Sequence, residues 1–179
     1  MTDFADRRPR ATKRAFAVLA FAALTGGCGF HLQGAGTLPP ELARTYLAAS
    51  SPHSEFLGSL TDVLRTRGSE IVASRDAADA VLEIVEDNTG QRVLSVSARN
   101  IPREFEVYYE VTFALTVGGE QLIEPESLVV TRSYTFDETQ VLAKSREEEE
   151  LRRALADDLA RRVVRRIEAV GATSAAPGI

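Results

Sequence analysis

Strict alternation of apolar and polar residues between Phe105 and Val117 constrains the fold more than any other feature of the sequence. All seven odd-numbered positions of this segment are apolar, whereas the even-numbered positions carry mostly Glu and Thr. Because successive strand side chains point to opposite faces, the pattern predicts a long strand with one face on a core and one in solvent. The pair Gly118-Gly119 predicts a turn. The segment 128–136 (LVVTRSYTF) then predicts a returning strand that completes a hairpin.

Two helices are predicted to cover the apolar face of that sheet. The first follows Ser54, a good N-cap residue, and ends before Gly68, which suits the left-handed position that terminates many helices. The second spans about 25 residues and carries one stripe of leucine, valine and isoleucine that ends at Val170. Ser145 and Glu148 fit a capping box at its start.

Shorter strands complete the predicted sheet. They are expected at 44–49, 70–73, 81–86 and 92–98, with a turn at Asn88-Thr89-Gly90 between the last two. The expected fold class is α+β: a two-layer sandwich with two helices packed on one face of a mostly antiparallel sheet of four or slightly more strands. This domain is expected to occupy residues 44–170, with a disordered tail at 171–179.

The first 27 residues have the layout of an export signal. Residues 1–14 carry a net charge of +3, ten uncharged and mostly apolar residues follow at 15–24, and two glycines precede Cys28. A basic head, a short apolar run and a small-residue site are typical of a secretory signal peptide, and the run is much shorter than the ~20 residues of a membrane-spanning helix. General and twin-arginine export both stay open.

Cys28 is the only cysteine and stands directly after the apolar run. The segment 24–28 (LTGGC) resembles the lipobox of bacterial lipoproteins, so we expect Cys28 to be acylated. Residues 28–43 are then an extended lead-in from the lipid anchor to the domain. An Asp directly after the lipidated cysteine would disfavour sorting to the outer membrane, and Gly29 occupies that position instead. We therefore expect a periplasm-facing protein on the outer membrane.

Charge and composition exclude several classes of protein. The full chain of 179 residues carries −5 and the signal +3, so the 152 residues that remain after residue 27 carry −8. Such an acidic body argues against a general nucleic-acid binder. His31 and His53 have no further ligands at metal-binding spacing, and no nucleophile or phosphate-loop motif occurs. We therefore predict no enzyme activity, no cofactor and no metal ion.

Four stretches of the sequence resemble the LptE family of lipopolysaccharide-assembly lipoproteins. They are Cys28-Gly29-Phe30-His31-Leu32 with Leu38-Pro39 after it, Arg99-Asn100, the segment 132–137 (RSYTFD), and Leu142-Ala143-Lys144. Together they span nearly all of residues 28–170. The resemblance implies two helices on a four-stranded sheet, which agrees with the fold class derived from the residues.

The resemblance also implies a function. Proteins of this family plug the lumen of the outer-membrane barrel LptD and help it to assemble, and the pair places lipopolysaccharide in the outer leaflet. Phosphates of that cargo favour Arg and Lys as contacts. Arg99 and Lys144 match the family's basic residues and are the expected contacts, with Arg103 and Arg132 as weaker neighbours. A lipid-anchored adaptor or pilot subunit of another envelope transporter is the alternative.

Overall fold

The computed structural model describes residues 38–174, with side chains up to residue 171. The predicted signal peptide, Cys28 and the lead-in as far as residue 37 lie outside the described residues. Five strands and two long helices follow one another as β1 (Arg44–Ala49), α1 (Glu55–Thr66), β2 (Glu70–Ile71), β3 (Ala80–Val96), β4 (Pro102–Val117), β5 (Glu120–Thr135) and α2 (Val141–Ser174). Short 3-10 helices lie at Pro40–Leu42, Arg75–Ala77 and Glu138–Gln140.

The five strands form one sheet in the order β2-β1-β3-β4-β5. β1 runs parallel to β2 and β3, whereas β4 is antiparallel to β3 and β5. The α+β sandwich is confirmed, but the sheet is mixed, and only its β3-β4-β5 part is antiparallel. β1 ends opposite Ile84, so beyond that residue β3 has β4 as its sole hydrogen-bonded neighbour among the described strands.

The alternating strand forms the floor of the core. The odd-numbered residues of β4 from Val107 to Leu115 are no more than 2% exposed. Both helices pack on this face, and the ring of Phe56 in α1 lies 6.2 Å from that of Tyr109, centroid to centroid. Because the even-numbered residues face away from the helices, the other face of the sheet, which we call the open face, carries the polar side chains.

The first helix begins and ends as the sequence predicts. Ser54 Oγ accepts a hydrogen bond from the backbone N–H of Leu57 at 3.1 Å, which satisfies one of the free donors of the first turn. Gly68 has φ of +92°, a conformation that costs a residue with a side chain more than it costs glycine. Between these ends, Phe56, Leu60 and Leu64 are fully buried.

The second helix is longer than predicted at both ends. It begins at Val141, so Ser145 lies inside it and its hydroxyl donates to Leu142 O at 3.0 Å; the capping-box prediction is wrong. Asp137 instead caps the 3-10 helix Glu138–Gln140, which leads directly into α2. Its side chain accepts a hydrogen bond from the backbone N–H of Thr139 at 2.9 Å. The helix continues to Ser174, so the first four residues of the predicted tail at 171–179 are helical, and 175–179 lie outside the described residues.

The predicted turn at Asn88-Thr89-Gly90 is wrong, because β3 continues through it. These three residues pair with Glu110, Tyr109 and Tyr108 of β4. The ring of Tyr108 lies directly over Gly90, where a Cβ would meet the tyrosine Oη at 2.6 Å. Pairing with a long neighbouring strand therefore overrides a local turn signal, and the glycine serves a close approach instead.

The hairpin from β4 to β5 is tighter than the sequence suggests. Gly118 and Gly119 have φ of +57° and +89°, which is the arrangement of a two-residue type I′ turn. The returning strand therefore starts at Glu120, well before the predicted residue 128. β3 carries bulges beside Val85 and Leu94, where its register against β4 shifts.

Candidate functional site

Three of the four predicted contact residues lie at one end of the domain, which we call the tip. The tip comprises the turn 97–101 between β3 and β4, the end of β5 with Phe136, and the first turns of α2. The turn is held by hydrogen bonds from Ser97 N to Ile101 O at 2.7 Å and from Ile101 N to Ser97 Oγ at 3.1 Å. Asn100 adopts φ of +59° there, and Arg99 is exposed beside it.

Arg103 joins the tip through its backbone. Its carbonyl accepts a hydrogen bond from the backbone N–H of Phe136 at 2.8 Å, which ties the start of β4 to the segment that leads into α2. The side chain of Arg103 is exposed. Neither Arg99 nor Arg103 forms an ion pair within residues 38–171, so both guanidinium groups have donors available for an anion.

Lys144 lies one turn into α2, at the same end. Its Nζ is 2.7 Å from Glu147 Oε2, and its side chain is 19% exposed. Hydrogen bonds from Thr139 hold the pKa of Asp137 below its usual value, and the positive charge of Lys144 contributes to the same shift. Lys144 is therefore the most constrained of the predicted cations, and a ligand must share it with Glu147.

Arg132 is set back from the other three. Arg132 lies on β5, where it pairs with Val107 of β4 on the face of the sheet that meets the helices. Its side chain is exposed at the free edge of the sheet. At ~3.3 Å per residue, it lies about 10 Å along the strand from Thr135. The structure therefore does not bring Arg132 into the tip itself.

Apolar side chains that were not among the predicted contact residues accompany the cations of the tip. The ring of Phe105 stacks on Tyr134 at 5.7 Å and meets Phe136 edge-on at 5.3 Å. Around them, five aliphatic side chains are between 48% and 81% exposed: Val93, Leu94, Val96, Val141 and Leu142. The adjacent pair Val93-Leu94 was the available signal, because two successive strand residues cannot both face one core.

The hydroxyl of Tyr134 lies beneath this surface, and its pKa is raised. Removal from water raises the pKa of Tyr134, and the nearby carboxylates of Glu148 and Glu147 raise it further. The hydroxyl lies 3.0 Å from Gln91 Oε1, to which it donates. The contact joins β5 to the outer part of β3, so it supports the tip from behind.

The open face of the sheet is a different chemical surface. A shallow groove of about 500 Å³ lies there beside Tyr108 and Val129. Its one arginine, Arg92, pairs with Glu106 at 2.7 Å from Nε to Oε1. Further carboxylates share this face, and the register places them at Glu83, Glu86, Glu104 and Glu110. Repulsion by these groups disfavours an anionic ligand on the open face.

The described residues contain neither a membrane-spanning helix nor a cluster of metal ligands. Between residues 38 and 174, no helix is both long and apolar enough to cross a membrane. In the same part of the chain, no three His, Cys, Asp or Glu side chains converge as metal ligands would. His53 is exposed in the loop before α1, and His31 lies outside the described residues.

Comparison with known proteins agrees with the resemblance seen in the sequence. The family described as "LptE: Lipopolysaccharide-assembly" matches residues 42–167, most of the chain. The chain belongs to the LptE family. The matched region contains all four predicted cations of the site, whereas Cys28 precedes it.

Relatives of known name support the family assignment. The LPS-assembly lipoprotein LptE of Yersinia enterocolitica is 29% identical over 150 residues, which are 83% of this chain and 72% of that protein. The protein of the same name from Photorhabdus laumondii is 28% identical over 144 residues, 80% of this chain and 79% of its own.

Solved structures of family-like lipoproteins share the fold. Lipoprotein B from Nitrosomonas europaea, solved by NMR, superposes with a TM-score of 0.67 at 30% identity and covers 82% of this chain and 94% of its own. The crystal structure of the rare lipoprotein B from Shewanella oneidensis gives 0.64 at 27% identity, with 73% and 97% covered. The same fold therefore occurs in a protein named as a lipoprotein in each of these two organisms.

Proposed function

We propose that this protein is a non-enzymatic outer-membrane lipoprotein of lipopolysaccharide assembly. Acylated Cys28 anchors it, and its domain plugs an LptD-like barrel, helps that barrel to assemble, and assists the insertion of lipopolysaccharide into the outer leaflet. Membership of the LptE family supports the proposal, and so do relatives whose names place them in this process.

One observation carries the cargo-binding part of the proposal: cations and exposed aliphatic groups occur together at the tip. Lipopolysaccharide presents phosphates beside acyl chains. Arg99 and Arg103 offer planar, multidentate donors that suit a phosphate, and Lys144 adds a point charge. Leu142, 81% exposed, and its aliphatic neighbours would cover the first methylenes of the acyl chains.

The remaining charge of the domain restricts this contact to the tip. With −8 on the mature chain, long-range attraction to an anionic glycolipid is weak, and the carboxylates of the open face oppose it there. Binding therefore depends on a few named side chains instead of a diffuse positive field. Arg132, set back along β5, would touch the cargo only at its edge.

Charge reversal of the two principal contacts tests this site. We expect Arg99→Glu with Lys144→Glu to weaken binding of purified lipopolysaccharide at least tenfold and to leave recovery of the barrel unchanged. The control is Arg65→Glu with Arg75→Glu, an equal change of charge at exposed residues of the other end, and it should bind as the wild type does. Unchanged binding in the first variant would refute the site.

Single reversals rank the two weaker contacts. Arg103→Glu should reduce lipopolysaccharide binding more than Arg132→Glu, because Arg103 is tied into the tip and Arg132 is not. An equal or reversed order would show that the edge of β5, and not the tip, carries the cargo.

The partner and the anchor need separate measurements. A pull-down from detergent-solubilised membranes should recover a large outer-membrane barrel. Recovery of an inner-membrane transporter would instead favour a lipid-anchored adaptor of another envelope complex. Mass spectrometry of the mature N-terminus should find acyl groups on Cys28, and an unmodified thiol would remove the anchor from the proposal.

A further inference from the structure

An aromatic side chain lies across the groove side of the open face. Tyr108 of β4 stands between Gly90 of β3 and Thr131 of β5 in the register of the sheet. The atoms closest to a Cβ built on Gly90 are Oη, Cζ and Cε1 of Tyr108, so the ring leans over β3 instead of standing straight out from the sheet. The part of the ring that does not contact β3 lines the groove.

Polar side chains with unused hydrogen-bonding capacity surround this ring. Asn88 and Thr131 line the groove, are exposed, and form no side-chain hydrogen bond within residues 38–171. Glu110 accepts a hydrogen bond from Ser127 Oγ at 3.1 Å through Oε1, and its Oε2 has no donor among the same residues. The groove therefore offers an amide, a hydroxyl and a carboxylate oxygen to a ligand that both donates and accepts hydrogen bonds.

The charges around the groove favour an uncharged ligand. Glu106 neutralises Arg92, and the other carboxylates of the open face repel a phosphate or a carboxylate. A sugar hydroxyl, in contrast, can donate to Glu110 and accept from the amide of Asn88. The C–H bonds on one face of a sugar ring also pack on an aromatic ring, because the aromatic face is the negative part of the ring quadrupole.

We propose that this groove binds uncharged sugar units of the cargo glycan, with Tyr108 as the stacking platform and Asn88 and Glu110 as hydrogen-bonding partners. Its volume of about 500 Å³ lies within the range of small-ligand sites. The inference deepens the proposed function and rests on it for the source of the glycan. It adds a contact for sugars to the contact that the tip makes with phosphates and acyl chains.

The groove and the tip are close enough to contact one molecule. Tyr108 lies six residues from Pro102, the first residue of β4, so about 20 Å separate the groove from the turn 97–101 at ~3.3 Å per residue. An oligosaccharide of a few units spans that distance. The phosphorylated end of a cargo molecule can therefore lie at the tip while its sugars reach the groove, and neither contact requires the domain to touch a lipid bilayer.

Binding of a sugar probe that lacks phosphate and lipid tests the groove. The probe is the oligosaccharide that mild acid releases from lipopolysaccharide, dephosphorylated and fluorescently labelled. Its anisotropy is measured with the acylated, full-length mature protein and with the complex of that protein and the barrel. We expect Tyr108→Ala to weaken binding about tenfold, because the platform is lost, and Tyr108→Phe to weaken it by less than about twofold, because the ring remains.

Two further variants separate binding from folding. Asn88→Ala removes an exposed side chain that forms no hydrogen bond within residues 38–171, so it should leave Tm unchanged and weaken binding about fivefold. Tyr46→Ala is the matched control. Tyr46 is half-buried on the same open face, where it pairs with Val81 near the other end of the sheet, and its loss should leave probe binding unchanged.

Several results would overturn the inference. These are wild-type binding by Tyr108→Ala, equal losses in the Ala and Phe variants of Tyr108, or no binding in the barrel complex, where the barrel wall would then cover the groove. Tighter binding of a free N-acetylglucosamine tetramer would assign the groove to a cell-wall glycan instead of the cargo. Failure of the tip variants to affect lipopolysaccharide binding, or of the pull-down to recover a barrel, would count against the proposed function and not against a sugar groove.

Discussion

Gly90 offers a sharp test of how the sheet is built, because the side chain of Tyr108 on the next strand fills the space that a side chain at position 90 would need. The Tyr108 ring covers it so closely that a Cβ would lie 2.6 Å from Oη, 2.8 Å from Cζ and 3.0 Å from Cε1. Gly90→Ala must therefore push the ring aside. The variant Tyr108→Ala removes the ring and with it the obstacle.

Two opposing effects set the magnitude. Alanine in a strand is favoured over glycine by ~0.5–1 kcal/mol, because glycine loses more backbone freedom on folding. Displacing the ring forfeits a cross-strand contact of ~0.2–1 kcal/mol. We expect Gly90→Ala to change the free energy of unfolding by less than about 0.5 kcal/mol in the wild type. In the Tyr108→Ala background it should stabilise by ~0.5–1 kcal/mol.

Urea unfolding of the four proteins in this double-mutant cycle measures the coupling. Midpoints are compared at a shared m-value, which reduces the extrapolation error. Gly58→Ala in α1 is the control, because nothing lies within 4 Å of a Cβ there, and it should stabilise by about 1 kcal/mol in either background. Equal stabilisation by Gly90→Ala in both backgrounds would refute the close approach of the ring.

Three further substitutions test other contacts. Gly171→Ala should fail to give the gain of about 1 kcal/mol expected of Gly58→Ala, since its Cβ overlaps Pro39; an equal gain in urea unfolding would contradict that contact. Ser54→Ala should destabilise by about 1 kcal/mol and Ser54→Asp should not, and equal losses would exclude a capping role. The pKa of Asp137 is lowered from 3.8, so its carboxylate stabilises the fold above that pH, and this contribution disappears as the pH falls through the lowered pKa. Asp137→Asn should therefore be less stable than the wild type at pH 7, and the difference in stability should close in acid. A difference that does not depend on pH would contradict this role of the carboxylate.

Local chemistry was enough to predict the elements that depend on neighbours in sequence. The alternation of β4 specified its buried face, the Gly118-Gly119 turn has the dihedral angles that glycine favours, and Ser54 caps α1 as expected. Each of these features is decided within a few residues. For such features, pattern and propensity agree with the final structure.

Features decided by distant residues could not be predicted in the same way. Asn88-Thr89-Gly90 has the composition of a turn, but 16 residues of β4 are available to pair with it, and Tyr108 covers the glycine. The parallel pairing of β1 with β3 joins segments over 30 residues apart and leaves no periodic signal. Ser145 fits a capping box by spacing, but the helical segment begins upstream of it, where Asp137 supplies the cap.

The candidate site shows the same division. Arg99 and Lys144 came from the family resemblance, since an exposed cation has no periodicity of its own. Their placement at the same end of the domain depends on the backbone contact between Arg103 and Phe136, which no local pattern contains. The aliphatic half of the tip was visible only as a break in alternation at Val93-Leu94, and that break could equally mark a bulge.

The outer part of β3 has a consequence for motion. Beyond Ile84 it has a strand on one side only, and Thr89, Gln91 and Val93 are exposed even on the face that elsewhere meets the helices. Few buried contacts oppose local opening there, so this segment separates from β4 at a lower free-energy cost than the strands beneath α1. The tip is thus free to rearrange around an incoming molecule while the rest of the domain keeps its native packing, and binding there is detectable as slower amide exchange confined to that hairpin.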